Sequence, residues 1–161
     1  NPVRQNLLSG KRKVESGKNI LIIGGSLGAR TINEAVIAQL DTLKKAGIKI
    51  VIASNNVHPV LERQLANLGI RQYIDDIVAV EDVENVKPAP DIALEVLRRC
   101  NISGEEALVV GDSTFDMDMG REANCHLCGV SFGSHTPDML RKKGAHYVID
   151  HYSELTKIVL G

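Results

Sequence analysis

The sequence predicts a three-layer α/β domain, Rossmann-like and doubly wound around a mainly parallel sheet. Three observations carry that expectation. Short Val/Ile/Leu-rich runs alternate with helix-period segments along almost the whole chain, several of those runs are apolar throughout, and the helical patterns stop at glycine. Runs without polar alternation suit strands buried on both faces, as in a parallel sheet covered by helices.

The first expected strand is Asn19 to Ile23, followed by a helix from Thr31 to Ala46 that ends at Gly47. A second strand, Ile48 to Ala53, leads to a helix from His58 to Leu68 that stops at Gly69. Glycine just past a helix is a natural terminator, because it enters the left-handed region without a Cβ penalty. A third strand, Ile77 to Val80, precedes a helix from Pro90 to Cys100, where the proline suits a first helical turn. Ala107 to Val110 and His126 to Val130 are strands on either side of a helix from Phe115 to Ala123. Pro137 to Lys143 forms the next helix and stops at Gly144, and Tyr147 to Ile149 is the last strand. The basic run from Gly10 to Lys13 is expected to be irregular and solvated.

Composition narrows the function classes. With 161 residues, 43% hydrophobic and 24% charged, the chain suits one domain that buries its core without disulfides or metals. A net charge of -1 argues against nucleic acid as a partner held by bulk charge, and 3% aromatics with no tryptophan against a base-stacking surface. No apolar run is long enough to span a membrane, so neither a membrane nor a nucleic acid is an expected partner. Three cysteines, Cys100, Cys125 and Cys128, without a pairing framework point to a reducing cytoplasmic setting. The opening Asn1, in place of Met, points to a processed or recombinant piece.

Ligands of doubly wound sheets sit beyond the carboxyl ends of the strands. After the fourth run comes Gly111-Asp112-Ser113-Thr114-Phe115-Asp116. Asp112 and Asp116 either aim two carboxylates at one hard cation such as Mg²⁺, or Asp112 or Ser113 caps the next helix. Ser54-Asn55-Asn56 follows the second run and can bind phosphate oxygens or simply turn. Lys87, within Lys87-Pro88-Ala89-Pro90, brings a charge to the same rim, or is an ordinary solvated lysine. Cys125 and Cys128 form a CxxC, but on a strand positions i and i+3 face opposite sides and cannot chelate together. The five histidines show no ligand spacing.

Taken together, Ser54, Lys87 in its KPxP setting and GDSxxD at 111–116 resemble motifs two to four of the haloacid dehalogenase superfamily, nearest its phosphoglycolate phosphatase-like and phosphoglucomutase-like members. The segment Gly129 to Gly133 and the tail Tyr147 to Asp150 are similar to the same branch, and the resemblance covers about residue 40 to the end. It implies Mg²⁺-dependent phosphoryl transfer through an aspartyl-phosphate. Ser54 would hold the transferring group, Lys87 would neutralise its charge, and Asp112 would ligate Mg²⁺ with Asp116 as ligand or support.

That family also needs a DxD at the end of the first strand, and here Gly24-Gly25-Ser26-Leu27-Gly28 stands there. Between Glu15 and Asp41 the only acidic residue is Glu34, inside the expected helix. Crippled turnover is therefore expected, and the stretch between the first two strands is too short for a classical cap domain. The opening Asn1-Pro2-Val3-Arg4 with Gly24-Gly25-Ser26-Leu27-Gly28-Ala29-Arg30 instead resembles the donor-nucleotide half of the peptidoglycan glycosyltransferase MurG. On that resemblance the glycine loop, Gly24, Gly25, Ser26 and Gly28, would face a nucleotide diphosphate with Arg4. The two resemblances meet near Ala38 to Asp41, which suggests an engineered or recombined chimera: a MurG-like segment over 1–38 and a dehalogenase-like core over 39–161. Three expectations follow. One is a scaffold without efficient catalysis that keeps weak affinity for Mg²⁺ or a phosphate-bearing small molecule. The second is a weak Mg²⁺-dependent phosphatase, and the third is a UDP-binding module.

Overall fold

The computed structural model of the chain describes residues 20–24, 34–131, 133 and 135–161. Six strands form one sheet: β1 (Ile20–Ile23), β2 (Lys49–Ala53), β3 (Asp76–Val78), β4 (Ala107–Gly111), β5 (His126–Val130) and β6 (Tyr147–Ile149). Their spatial order is β3-β2-β1-β4-β5-β6, and every neighbouring pair is parallel. The chain winds from β1 to β2 and β3, then crosses back past β1 to lay down β4, β5 and β6. The direction of winding reverses between β1 and β4, and ligand crevices in such sheets open at that point.

The described helices are α1 (Glu34–Lys45), α2 (His58–Leu68), α3 (Asp91–Cys100), α4 (Thr114–Glu122), α5 (Pro137–Lys142) and α6 (Leu155–Leu160). Strand side chains alternate between two cores. Ile50, Ile52, Val110 and Val130 pack with Leu40, Leu43, Leu61, Leu65 and Ile158 of α1, α2 and α6. Val51, Ala53, Val109 and Leu127 pack with Ile92, Val96, Met117, Met119 and Leu140 of α3, α4 and α5. Helices on both faces explain why the central strands are apolar at nearly every position. A fully buried Leu or Ile contributes roughly 1.5–3 kcal/mol, so these two cores stabilise helices too short to persist alone.

All six expected strands and five of the helices are present, with shifts at their ends. β3 stops at Val78, two residues before its expected end, because Val80 donates its amide to Asn56 O and enters a 3-10 turn over Val80–Asp82. The Asp82 carboxylate closes that turn by accepting from the Ala79 amide at 2.8 Å. α4 begins one residue before Phe115, for a capping reason given below. Helix α6 was not anticipated. Its Leu155, Ile158 and Val159 form one face at helical spacing, but six residues are too few for periodicity alone to separate helix from strand. Docking fixes it, including a hydrogen bond from Thr156 Oγ1 to Gln39 Oε1 on α1.

The glycine stop of α2 works as expected: Gly69 has φ 73°, and the amides of Gly69 and Ile70 turn back to Ala66 O and Leu65 O. Cys125 belongs to the core on one face of the sheet and Cys128 to the core on the other. Burial pushes both thiols up to about 12. The basic run at 10–13 lies outside the described residues.

Candidate functional site

β1 and β4 lie side by side up to Ile23 and Val110, and the Gly24 amide continues the ladder by donating to Val110 O at 2.8 Å. Gly24 and Gly111 therefore end the two strands that flank the reversal. A Cβ built on Gly24 would fall 2.3 Å from Asp116 Oδ1 and 3.4 Å from Lys87 Nζ. A Cβ on Gly111 would fall 2.4 Å from Asp116 Cβ. The two glycines leave the space that Asp116 occupies, at 0% exposure.

Asp116 is held on both oxygens. Ser113 is the N-cap of α4: its hydroxyl accepts from the Asp116 amide at 3.3 Å, while Asp116 Oδ2 accepts from the Ser113 amide and hydroxyl at 3.3 and 3.1 Å. This reciprocal capping box satisfies two amides at the helix start and sets α4 to begin at Thr114. Asp116 Oδ1 accepts from Lys87 Nζ at 2.7 Å, and both side chains are buried. Of the two roles expected for it, ligand and support, these contacts are those of a support.

Lys87 is fixed at both ends. Its Nζ also donates to Ala53 O at 3.2 Å, and its own amide donates to Asn55 Oδ1 at 2.9 Å. Asn55 Nδ2 in turn donates to Lys87 O at 3.3 Å. Asn55, expected to face phosphate, thus clamps the backbone of Lys87 to the end of β2. Ser54 is buried beside it; its amide donates to Val78 O, and its Oγ accepts from the Asn56 amide at 3.0 Å. Accepting that bond leaves the Ser54 hydroxyl proton able to donate elsewhere.

Asp112 directly follows β4 and is half-buried. Sequence reasoning missed what overlies it. The His135 amide donates to Asp112 O at 3.3 Å, and the His135 ring accepts the Thr114 amide at Nδ1, 2.8 Å. A Cβ on Gly133 would lie 2.0 Å from Asp112 Cβ. Gly133 and His135 therefore bring the connection after β5 onto the start of α4. The glycine was the visible signal; the histidine had none, because its partner is a backbone amide.

The fold places Gly24, Ser54, Lys87, Asp112 and Asp116 together at the carboxyl rim of β1, β2 and β4. Arg4, Gly25, Ser26 and Gly28, the other expected phosphate contacts, lie outside the described residues. As for Mg²⁺, no group of three or more His, Cys, Asp or Glu among the described residues could cage an ion. Mg²⁺, however, retains several waters and commonly takes one or two carboxylates plus substrate phosphate. Asp112 at the rim fits that mode, whereas Asp116, with both oxygens engaged, does not add a ready second ligand.

A buried Lys–Asp pair, a serine hydroxyl and a rim carboxylate thus meet at the switch point of a doubly wound α/β sheet. In comparison with known proteins, residues 30–130 match the haloacid dehalogenase-like hydrolase family, and the chain belongs to that family. It is 32% identical over 126 residues to the pyrophosphatase PpaX of Bacillus mycoides, covering 78% of this chain and 59% of that protein. Among solved structures, a hydrolase of Pseudomonas syringae aligns with TM-score 0.69 at 27% identity, over 76% of this chain and 59% of that one. A haloacid dehalogenase-superfamily hydrolase of Geobacter sulfurreducens aligns with TM-score 0.68 at 26% identity, over 80% and 56%. The chain thus spans less than two thirds of the length of each of these relatives.

The family match begins at residue 30 and spans the expected join at 38–41, residues that lie inside the continuous helix α1, with Leu40 and Leu43 in the core. The resemblance to MurG gains no support from these findings. Among the described residues no helix is long and apolar enough to cross a membrane.

Proposed function

We propose that this chain binds the phosphoryl group of a small phosphate ester at the rim of β1, β2 and β4 and hydrolyses it as a weak phosphatase, a water oxygen bonding to phosphorus as the ester P–O bond breaks and the departing alcohol takes up the water's proton. The observation that carries this reading is Gly24. The position directly after β1 is a glycine packed against the Lys87–Asp116 pair, and the sequence has no acidic residue between Glu15 and Glu34. Loss of a nucleophile elsewhere removes several orders of magnitude in rate while binding and electrostatic stabilisation persist, so binding outlasts turnover.

On this reading each side chain has a distinct task. Ser54 donates its hydroxyl proton to a phosphoryl oxygen, its orientation set by the Asn56 amide. Lys87 has three ammonium protons, of which Ala53 O and Asp116 take two; the third points its charge at the ligand. Asn55 and Asp116 hold that lysine in place. Asp112 would hold Mg²⁺ together with the ligand's phosphate and water; the ion, when bound, would neutralise phosphoryl charge.

The test is hydrolysis of an aryl phosphate with Mg²⁺, run beside Asp112→Asn and beside calorimetric titration with inorganic phosphate. Slow turnover that Asp112→Asn abolishes, with measurable phosphate binding, is the expected result. Phosphate that fails to bind under any Mg²⁺ concentration would remove the proposal. Rates typical of efficient phosphatases, about 1–10³ s⁻¹, would mean that a nucleophile has been overlooked.

A further inference from the structure

Lys87 and Asp112 carry opposite charges at the rim, and each is held by a residue from a different strand connection. Asn55, after β2, bonds both the amide and the carbonyl of Lys87. Asp112 has a counterpart in His135, after β5. The His135 amide donates to Asp112 O at 3.3 Å, and its ring Nδ1 accepts from the Thr114 amide at 2.8 Å, across 21 residues of sequence. One residue thus brackets Asp112, Ser113 and Thr114 from both ends. An amide only donates, so Nδ1 presents its lone pair there, and the neutral ring carries its proton on Nε2.

These bonds fall where local structure supplies the least. Asp112 stands one residue beyond Gly111, where β4 ends, and one before the N-cap Ser113. Thr114 opens α4, and the amide of a first helical residue has no partner inside the helix. The capping box satisfies the amides of Ser113 and Asp116 and leaves the Thr114 amide to His135. The Asp112 side chain is bounded by the same connection. A Cβ on Gly133 would lie 2.0 Å from Asp112 Cβ, 2.7 Å from Cγ and 2.6 Å from Oδ2, so the Gly133 backbone rests directly against the carboxylate. Tying His135 to α4 holds that backbone in place two residues away.

We infer that His135 is a positioning residue for the metal end of the site: through Nδ1 it fixes the Asp112 carboxylate for Mg²⁺, as Asn55 fixes Lys87 for phosphate. This role rests on the reading of Asp112 as the Mg²⁺ ligand and adds a residue outside the set of Ser54, Lys87 and Asp112. Mg²⁺ demands near-octahedral geometry, and groups that orient a metal's ligands commonly contribute about 10–100-fold in affinity.

The experiment is an Mg²⁺ titration of the full chain, followed by the amide NMR shifts of residues 111–116. It compares the parent with Asp112→Asn, His135→Ala and His135→Asn, each checked for folding by its urea midpoint. Asparagine Oδ1 takes nearly the place of histidine Nδ1 and accepts from an amide, so it keeps the bond that alanine removes. His135→Ala is expected to weaken Mg²⁺ binding about tenfold, and His135→Asn to return it near the parent value. Inorganic phosphate without Mg²⁺ should bind the parent and His135→Ala alike, because Asn56, Asn55 and Asp116 hold Ser54 and Lys87. Unchanged Mg²⁺ affinity in His135→Ala, or equal loss in His135→Asn, would overturn the role of the ring while Asp112 stands as ligand. A parallel loss of phosphate affinity would also overturn it, since the ring would then support the whole rim. A parent that does not bind Mg²⁺, or binds it equally well after Asp112→Asn, would remove the metal reading and the role of His135 with it.

Discussion

Gly24→Ala is a small change with a large expected effect. The added Cβ would lie 2.3 Å from Asp116 Oδ1 and 2.9 Å from Asp116 Cγ. Optimal carbon contacts are about 3.5–4.0 Å, so the carboxylate would have to retreat by about 1 Å. It has nowhere to go: it is fully buried, held by Lys87 Nζ at 2.7 Å on one oxygen and by Ser113 on the other. Overpacking alone costs roughly 1–3 kcal/mol. Disrupting a buried ion pair costs roughly 3–5 kcal/mol when one charge is left uncompensated. Replacing a glycine whose φ is not positive would by itself stabilise by about 0.4–1 kcal/mol, so the Asp116 contact decides the sign. A net loss of about 2–4 kcal/mol is expected, which lowers Tm by several degrees in a domain of this size. Thermal and urea unfolding of parent and variant measure it. A Gly24→Ala midpoint equal to or above that of the parent would refute the packing argument. The same geometry predicts that Gly24→Asp will not restore efficient phosphatase activity, because Asp116 already fills the place beside Lys87.

Lys87→Met should cost about 3–5 kcal/mol by stranding the Asp116 carboxylate, and adding Asp116→Leu should recover a large part of it; strictly additive losses in a double-mutant cycle would contradict the pairing. Asn55→Ala removes both bonds to the Lys87 backbone and should weaken phosphate binding while costing only about 1–2 kcal/mol of stability. An unaltered phosphate affinity would show that the clamp does not position the lysine. The buried thiols predict an alkaline limb. Cys125 and Cys128 titrate near 12 when folded, against an ordinary value of 9.0, because burial disfavours the thiolate. A raised folded pKa means that their contribution is complete below about 9 and lost as pH climbs toward about 12. Urea midpoints should therefore fall over that window, and less steeply in a Cys125→Ala/Cys128→Ala variant; parallel slopes would rule this cause out.

The sequence by itself determined the sheet and most of its helices, because apolar strand runs and glycine stops such as Gly69 are local signals with local causes. It also located Ser54, Lys87, Asp112 and Asp116, since in a doubly wound sheet the residues after each strand must share one rim. The absence of a carboxylate after β1 was equally plain, being a matter of composition. What only the tertiary structure decided was how those residues use one another. Whether Asp116 offers its oxygens to a metal or to Lys87 and Ser113 depends on the distance between chain segments 29 residues apart in sequence, which no spacing encodes. Asn55 reads as a phosphate contact until the loop carrying Lys87 is laid across it. Helix α6 is too short to declare itself, and Gln39 and the core of α1 settle its state. Gly24, a tight turn or a diphosphate loop in the sequence, is in the fold the position whose missing side chain makes room for a buried carboxylate.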